Sequence, residues 1–544
     1  MYGKICGGGV PIQIHGCPKR NTPNFSNRTK KGYQKIFAIL NFMGLSDRIW
    51  EFLLGGVSDC DLPLVKVGSN TSIFKLRPRN NRAMRWIHLD EWSIDELINL
   101  EKNQWIFLAP CFSRDPNNPH RARQYILENS TILPFTSYSR IDRTLFSQLF
   151  KAEIHPDHHN LLDESAEYGQ TKNLFAIKEV SPSARTNPRN ELLALRLVNK
   201  AAHPHLIALL ASYTQHDKLY LIFPWAECDL ESFWKQKSPQ DHPTILSWAL
   251  RQFQGLASGL AAIHTFKVGS DDSIFSRSPV VDRFEDLDPM MVDGQDSEVE
   301  IFCRHGDIKP QNILWFPDSG DESGILKLID FGSAEVKAAE AINRQSCVYT
   351  QTYRPPESYD FTLPREALVS TSYDIWSLGC VFLEFMVWLF CGYDGLVYFN
   401  TQRYFEDKSM DAYLQVGIAF FALFHDRTTG EPKADVKRSV AQICADLTGN
   451  GIGMPPMGCS AHMLNMLRVH PQYRELFRQI LELIQKHMII LERPGVRSRM
   501  KAFQVAEALK GFHFMAEQLE GLDVLGRPSG QEASDTCFDP VWRY

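Results

Sequence analysis

The side chains able to do chemistry gather in two short stretches. Arg304-His305-Gly306-Asp307-Ile308-Lys309-Pro310-Gln311-Asn312-Ile313-Leu314 holds a carboxylate, an ammonium and an amide, and Leu328-Ile329-Asp330-Phe331-Gly332-Ser333 follows with a second carboxylate. On such a path Asp307 could orient a hydroxyl and accept its proton, and Lys309 could balance charge on a moving phosphoryl group. Asn312 and Asp330 supply oxygen ligands of the kind magnesium takes. Asp-Phe-Gly alone is a weak signal. Asp-x-Lys-x-x-Asn followed by Asp-Phe-Gly, in this order and with this gap, is a specific one.

Elements must position these groups, and the chain is long enough to supply them. With 544 residues, 44% apolar and 22% charged, it has the composition of a water-soluble globular protein of more than one ordinary domain. A net charge of -6 gives no reason to expect nucleic acid as a partner. The twelve cysteines show no Cys-x-x-Cys pair, which reads as reduced thiols in the cytoplasm or nucleus. The N-terminus lacks the apolar run of a signal peptide. The most apolar run, Ser377 to Phe399, contains Glu384 and is broken at Gly392, Tyr393 and Asp394. It reads as a buried core helix, so no membrane span is expected.

Helical periodicity is expected at 36–43, 47–54 and 90–100, after a mobile tail of about 30 residues. Residues 1–135 therefore read as a mainly helical extension without a catalytic constellation. Next, Phe175-Ala176-Ile177-Lys178 ends an alternating stretch that is expected to be a strand, and Asn190 to Val198 forms a good helix with Pro188 at its start. Lys178 needs a carboxylate to hold it, and Glu191 is the expected partner. Glu179 points to the opposite face of the strand. His155-Pro156-Asp157-His158-His159 has the look of a metal cluster but reads better as an exposed polar loop. Ser247 to Phe266 is a long amphipathic helix. After it, Gly269 to Phe302 carries ten Asp or Glu against two Arg and reads as a disordered acidic insertion, bounded at about 267–302.

Taken together, the motifs resemble those of the eukaryotic protein kinase family. The resemblance implies an α+β, bilobal fold over 136–515, with a small β-rich lobe, a larger helical lobe and ATP between them, and a flexible tail at 516–544. It implies phosphoryl transfer from ATP, with Mg2+, to Ser/Thr hydroxyls of protein substrates. Asp307, Lys309 and Asn312 become the catalytic residues and Asn312 and Asp330 the metal ligands. Lys178, fixed by Glu191, aligns the nucleotide phosphates. Leu149, Ala176 and Leu314 line the nucleotide site, with Phe223 as gatekeeper and Pro224 and Ala226 as the adenine-pairing hinge. Leu195, Leu209, His305 and Phe331 fall where the family stacks its regulatory spine.

In the same way, Asp374 caps the catalytic-loop backbone, Thr350 touches the catalytic aspartate and lysine, and Glu357 pairs with Arg499. Two departures stand out. The family's three phosphate-loop glycines fall on Asp142, Thr144 and Ser147, and Gly169 lies too near Lys178 to substitute. Gly306 replaces the arginine that receives an activation phosphate, which makes the catalytic loop of non-RD type. Two rival readings follow, a pseudokinase acting as a binding or scaffold module and a small-molecule kinase of similar fold. Lys309, Thr350 and Arg354-Pro355-Pro356-Glu357 favour protein substrates.

Overall fold

A computed structural model of the chain describes residues 32–67, 75–78, 92–118, 120–143, 147–162, 173–180, 188–239, 244–268, 299–317, 324–338, 352–359, 370–408, 416–425, 428, 430, 432–447, 471–492 and 498–525. At its N-terminal end α1 (Gln34–Phe42) buries Ile36, Ile39 and Leu40, one face of a 3.6-residue period. Helix α2 (Ile49–Gly55) stops at Gly56, whose left-handed backbone lets its N–H close on the Leu53 carbonyl. Strands β1 (Leu64–Val67) and β2 (Lys75–Pro78) form an antiparallel pair. Helix α3 (Ile94–Asn103) opens on a reciprocal cap between Ser93 and Glu96. Buried Gln104 bonds both the N–H and the C=O of Leu64, as a neighbouring strand would. These elements share a core of their own around Leu40, Phe52, Leu64 and Leu100.

The main sheet has six strands: β4 (Arg123–Ile126), β5 (Phe135–Arg143), β6 (Ser147–Ile154), β8 (Leu174–Val180), β9 (Ala211–Gln215) and β10 (Lys218–Pro224), ordered β4-β9-β10-β8-β6-β5. Strand β4 lies parallel to β9, so the segment expected to be helical also lends an edge to this sheet. The short strands β3 (Phe112–Ser113) and β7 (His159–Asn160) pair beside it. Alternation on β8 sends Phe175 and Ile177 to one face, where Phe112, Leu161, Tyr213 and Ile222 cover them. Ala176 and Lys178 point to the other. Glu179 accordingly pairs with Lys218, across the sheet from Lys178.

Helix α4 (Pro188–Ala201) packs on that second face and meets α6 (Ile245–His264); both share the largest core among the described residues with α5 (Leu230–Gln236). The seam between the sheet and the helices is a close one. A Cβ on Gly255 of α6 would lie 2.0 Å from His205 Nε2, which is why a helix tolerates glycine there. The His205 ring also bonds the Leu326 carbonyl at 2.8 Å.

Strands β11 (Cys228–Asp229), β14 (Ile313–Phe316) and β15 (Ile325–Leu328) form one small sheet. A second contains β12 (Phe266–Val268), β13 (Val299–Arg304) and β16 (Glu335–Ala338). The two ends of the acidic segment are thus antiparallel strands, and residues 269–298 lie outside the described part.

The apolar run becomes α7 (Ser372–Lys408), which kinks at Gly392 (φ 64°, ψ -165°) and continues where the sequence suggested an end. Its most apolar window is 94% buried, the environment of a core helix. Beyond it lie the hairpin β17 (Phe421–His425)–β18 (Pro432–Val436), α8 (Arg438–Leu447), α9 (Pro471–Leu483) and α10 (Ala502–Leu525). Helix α10 packs along α6, and Glu520 accepts a hydrogen bond from the Ser247 N–H. The tail expected from 516 is therefore helical as far as Leu525, because Ala516 and its neighbours have an apolar partner to bury against.

Candidate active site

Three elements converge on Lys178. Strand β8 delivers its ammonium, α4 brings Glu191 Oε1 to 2.6 Å, and the turn after β15 brings Asp330 Oδ1 to 2.7 Å. Burial alone would depress the Lys178 pKa, but the charges of Asp330 and Glu191 outweigh it and hold it above the usual lysine range. Lys178 in turn pulls Asp330 down to about 2. Burial raises Glu191, partly against Lys178. With both carboxylates ionised, the trio carries an excess negative charge that a further cation would balance.

Asp330 holds a left-handed backbone (φ 63°) and accepts a hydrogen bond from the Gly332 N–H, an unusual conformation for a residue with a Cβ. The next residue, Phe331, is fully buried against the His305 ring, with centroids 4.8 Å apart. His305 also bonds the Ile329 carbonyl at 2.9 Å. Leu195 and Leu209 are buried in the same extended core as Phe331.

The catalytic-loop residues form a compact group of their own. Asp307 Oδ2 accepts from Lys309 Nζ at 2.6 Å and from Asn312 Nδ2 at 3.0 Å. Asn312 Nδ2 also donates to the Asp307 carbonyl at 2.8 Å. Its amide hydrogens are committed in this way, and the oxygen is the atom left for a cation. The loop backbone is fixed from below. Asp374, fully buried at the start of α7, accepts the N–H of His305 at 2.8 Å and of Gly306 at 2.9 Å. His264, at the end of α6, meets the same carboxylate at 3.0 Å. Burial pushes the Asp374 pKa up, and its hydrogen bonds and neighbouring histidines bring it below the ordinary value.

The expected nucleotide-lining residues sit as follows. Register pairs Leu149 with Lys178, and Ala176 with both Lys151 and Phe223, so all five project from one face of the sheet. Phe223 and Pro224 end β10, and Ala226 follows in the connection to β11. Leu314 lies on β14, opposite Asp229. Sequence reading missed the Lys151 ammonium, which lies 4.4 Å from the Trp225 ring centre at this connection. Nothing in the spacing flags that cation–π contact.

Of the phosphate-loop positions, Asp142 is the last residue but one of β5 and Ser147 begins β6, with a register shift between Arg140 and Asp142. Thr144, Gly169 and Thr350 lie outside the described residues. Glu357 and Arg499 meet in a two-pronged ion pair at 2.5 and 2.9 Å. His155, His158 and His159 do not assemble a metal site, and no group of three candidate ligands occurs among the described residues. His158 instead bonds the Pro110 carbonyl and His159 the Asn173 side chain.

The protein kinase domain family matches residues 300–413. Cyclin-dependent kinase 7 of Xenopus laevis is 26% identical over 223 residues, which are 40% of this chain and 50% of that protein. Cyclin-dependent kinase 2 of Caenorhabditis elegans is 25% identical over 197 residues, 36% of this chain and 42% of the relative. The chain spans half or less of the length of the relatives it matches.

Proposed function

The chain belongs to the eukaryotic protein kinase family, and from that premise we propose that it transfers the γ-phosphoryl group of ATP to serine or threonine hydroxyls of proteins. In this reading the six-stranded sheet with α4 is the small lobe, the helices from α5 onward are the large one, and ATP binds between them. The observation that carries the proposal is the double ion pair of Lys178 with Glu191 and Asp330, set beside the Asp307–Lys309–Asn312 group.

Each residue then has a physical task. Lys178 holds the α- and β-phosphates, and Glu191 keeps its ammonium aimed. The Pro224 carbonyl and the Ala226 backbone pair with adenine, between Leu149, Ala176 and Phe223 on one side and Leu314 on the other. Asp307 receives the proton of the acceptor hydroxyl. Lys309, already bonded to Asp307, stabilises negative charge on the transferred group. Magnesium held by the Asn312 oxygen and Asp330 would neutralise the phosphate oxygens, and the unbalanced charge around Lys178 suits a divalent cation there.

A second reading, a pseudokinase that binds partners, is favoured by one observation. The sequence has an acid, Asp142, where the family places a phosphate-loop glycine. Thermal melting with ATP, with and without Mg2+, separates the readings. At ~100 times the dissociation constant, nucleotide adds about 2.7 kcal/mol and raises the melting temperature by several degrees. A magnesium-dependent rise, together with phosphorylation of protein substrate that Asp307→Asn abolishes, supports the kinase. Phosphorylation that survives Asp307→Asn overturns the assignment of the base, and no shift at millimolar ATP favours the pseudokinase.

A further inference from the structure

Glu384 is the buried acid inside the most apolar stretch of the chain, and the site described above does not use it. It is 3% exposed, in the first half of α7. A carboxylate so deeply placed needs partners. Two are present, one on each oxygen. Oε2 accepts the Tyr353 hydroxyl at 2.8 Å, and Oε1 accepts Arg403 Nη2 at 2.6 Å.

Tyr353 belongs to the stretch Tyr353-Arg354-Pro355-Pro356-Glu357, which on the kinase reading is the platform for the substrate peptide. Its carbonyl is held as well, by the Ser377 hydroxyl at 2.8 Å. Four residues on, Glu357 is clamped by Arg499. The platform therefore hangs from α7 at one end and from Arg499 at the other.

Arg403 comes from the second half of α7, which turns back only because Gly392 breaks the helix with a positive φ. Its side chain is fully buried. The guanidinium lies 4.3 Å from the ring centre of Phe399 and 3.8 Å from that of Phe420. Nε and Nη1 make no hydrogen bond, and the two ring faces offset part of that loss. Phe420 also reaches Tyr353, with ring centres 6.1 Å apart. The Arg403 backbone is fixed in turn, its carbonyl accepting Lys437 Nζ at 3.0 Å, while Lys437 pairs with Asp407 at 3.4 Å. A chain of buried contacts thus runs from the far end of α7 to the platform.

We propose that Arg403 is a positioning residue for the acceptor peptide, acting through Glu384 on Tyr353, and that the extended half of α7 exists to present it. The inference rests on the kinase reading for its catalytic consequence, but not for its structural one. With Arg403 removed, Glu384 is left buried and half-paired, and Tyr353 loses its fixed acceptor. The peptide platform then loosens while the Lys178 side of the cleft is untouched. The effect should fall on recognition of the protein substrate and spare ATP.

The experiment compares wild type, Arg403→Ala, Arg403→Lys and Glu384→Gln in the full chain. Hydrogen exchange of residues 352–359 reads the platform directly, and steady-state kinetics read KM for protein substrate and for ATP. The expected result is faster exchange in that segment for Arg403→Ala and a protein-substrate KM raised about tenfold. The KM for ATP should be unchanged, and Arg403→Lys should recover part of both effects. Should Arg403→Ala fail to fold, Arg403→Lys and Glu384→Gln must still show intermediate exchange at 352–359. Unchanged exchange in every variant, or equal losses for ATP and protein substrate, overturns the proposal. A wild type without phosphotransfer defeats the kinase reading instead, and the exchange data then decide the role of Arg403 alone.

Discussion

Gly306 offers the sharpest quantitative test of the catalytic loop. By sequence it is a missing arginine; in the structure it is a backbone requirement. Its φ is +83°, and a Cβ there would lie 2.8 Å from the Ser333 carbonyl oxygen. A left-handed residue with a side chain costs about 1–2 kcal/mol. The contact is with backbone, which cannot swing aside as a side-chain end would, and such overpacking typically adds about 1–3 kcal/mol. The loss of glycine's freedom in the unfolded chain returns roughly 0.4–1 kcal/mol. Gly306→Ala should therefore destabilise by a net of about 1–5 kcal/mol, a fall of several degrees in melting temperature.

Gly430→Ala is the control, because Gly430 also has positive φ (+71°) but no atom of the described residues within 4 Å of the added one. It should show only the backbone cost, so the difference between the two variants isolates the clash with Ser333. Denaturant unfolding measures both. Gly306→Arg, which restores the family's usual residue type, should lower phosphotransfer, since the loop that carries Asp307 must move to admit it. A Gly306→Ala protein as stable as wild type, or a Gly306→Arg protein more active than wild type, would refute the reasoning.

Three further outcomes follow from the geometry. Lys178→Met leaves Glu191 and Asp330 facing each other without their cation, and should abolish the magnesium-dependent ATP shift in a melting experiment; a retained shift would mean that Lys178 does not hold the nucleotide. Burial pushes the His205 pKa down to about 3. Its unfolded value is near 6.5, so the unfolded chain binds the extra proton between these limits. The stability gained by keeping His205 neutral is whole above about pH 6.5 and lost as the pH falls, by about 2 kcal/mol at pH 5. Urea unfolding at pH 7.5 and 5.0 should give a smaller difference for His205→Asn than for wild type, and equal differences would rule this out. Finally, Arg499→Leu strands the Glu357 carboxylate in a half-buried site and should cost about 3–5 kcal/mol. Adding Glu357→Gln should recover part of that loss in the same unfolding assay; a strictly additive double variant would show that the two do not interact.

The sequence alone determined the parts whose geometry is local. The Asp307–Lys309–Asn312 hydrogen bonds span six residues of one loop, and residue type with spacing nearly dictates them. Strand alternation decided that Lys178 and Glu179 face opposite ways, which left Glu191 as the carboxylate able to reach the ammonium. An apolar run with Glu384 in its first half, broken at Gly392, Tyr393 and Asp394, read as a core helix because an unpaired charge does not suit lipid. Tertiary structure decided what spacing does not encode. Glu384 finds Arg403 only across the kink at Gly392, and Asp374 gathers His264 from a helix that ends 110 residues earlier. The arms of the acidic segment became strands because they pair with each other and β16 gives β13 a second edge. The need for glycine at 306 depends on how close Ser333 passes. Such contacts join residues far apart in the chain, and hydrophobic period and motif order carry no trace of them. They arise when packed elements fix a buried charge or a carbonyl in one place and the chain must supply whatever fits there.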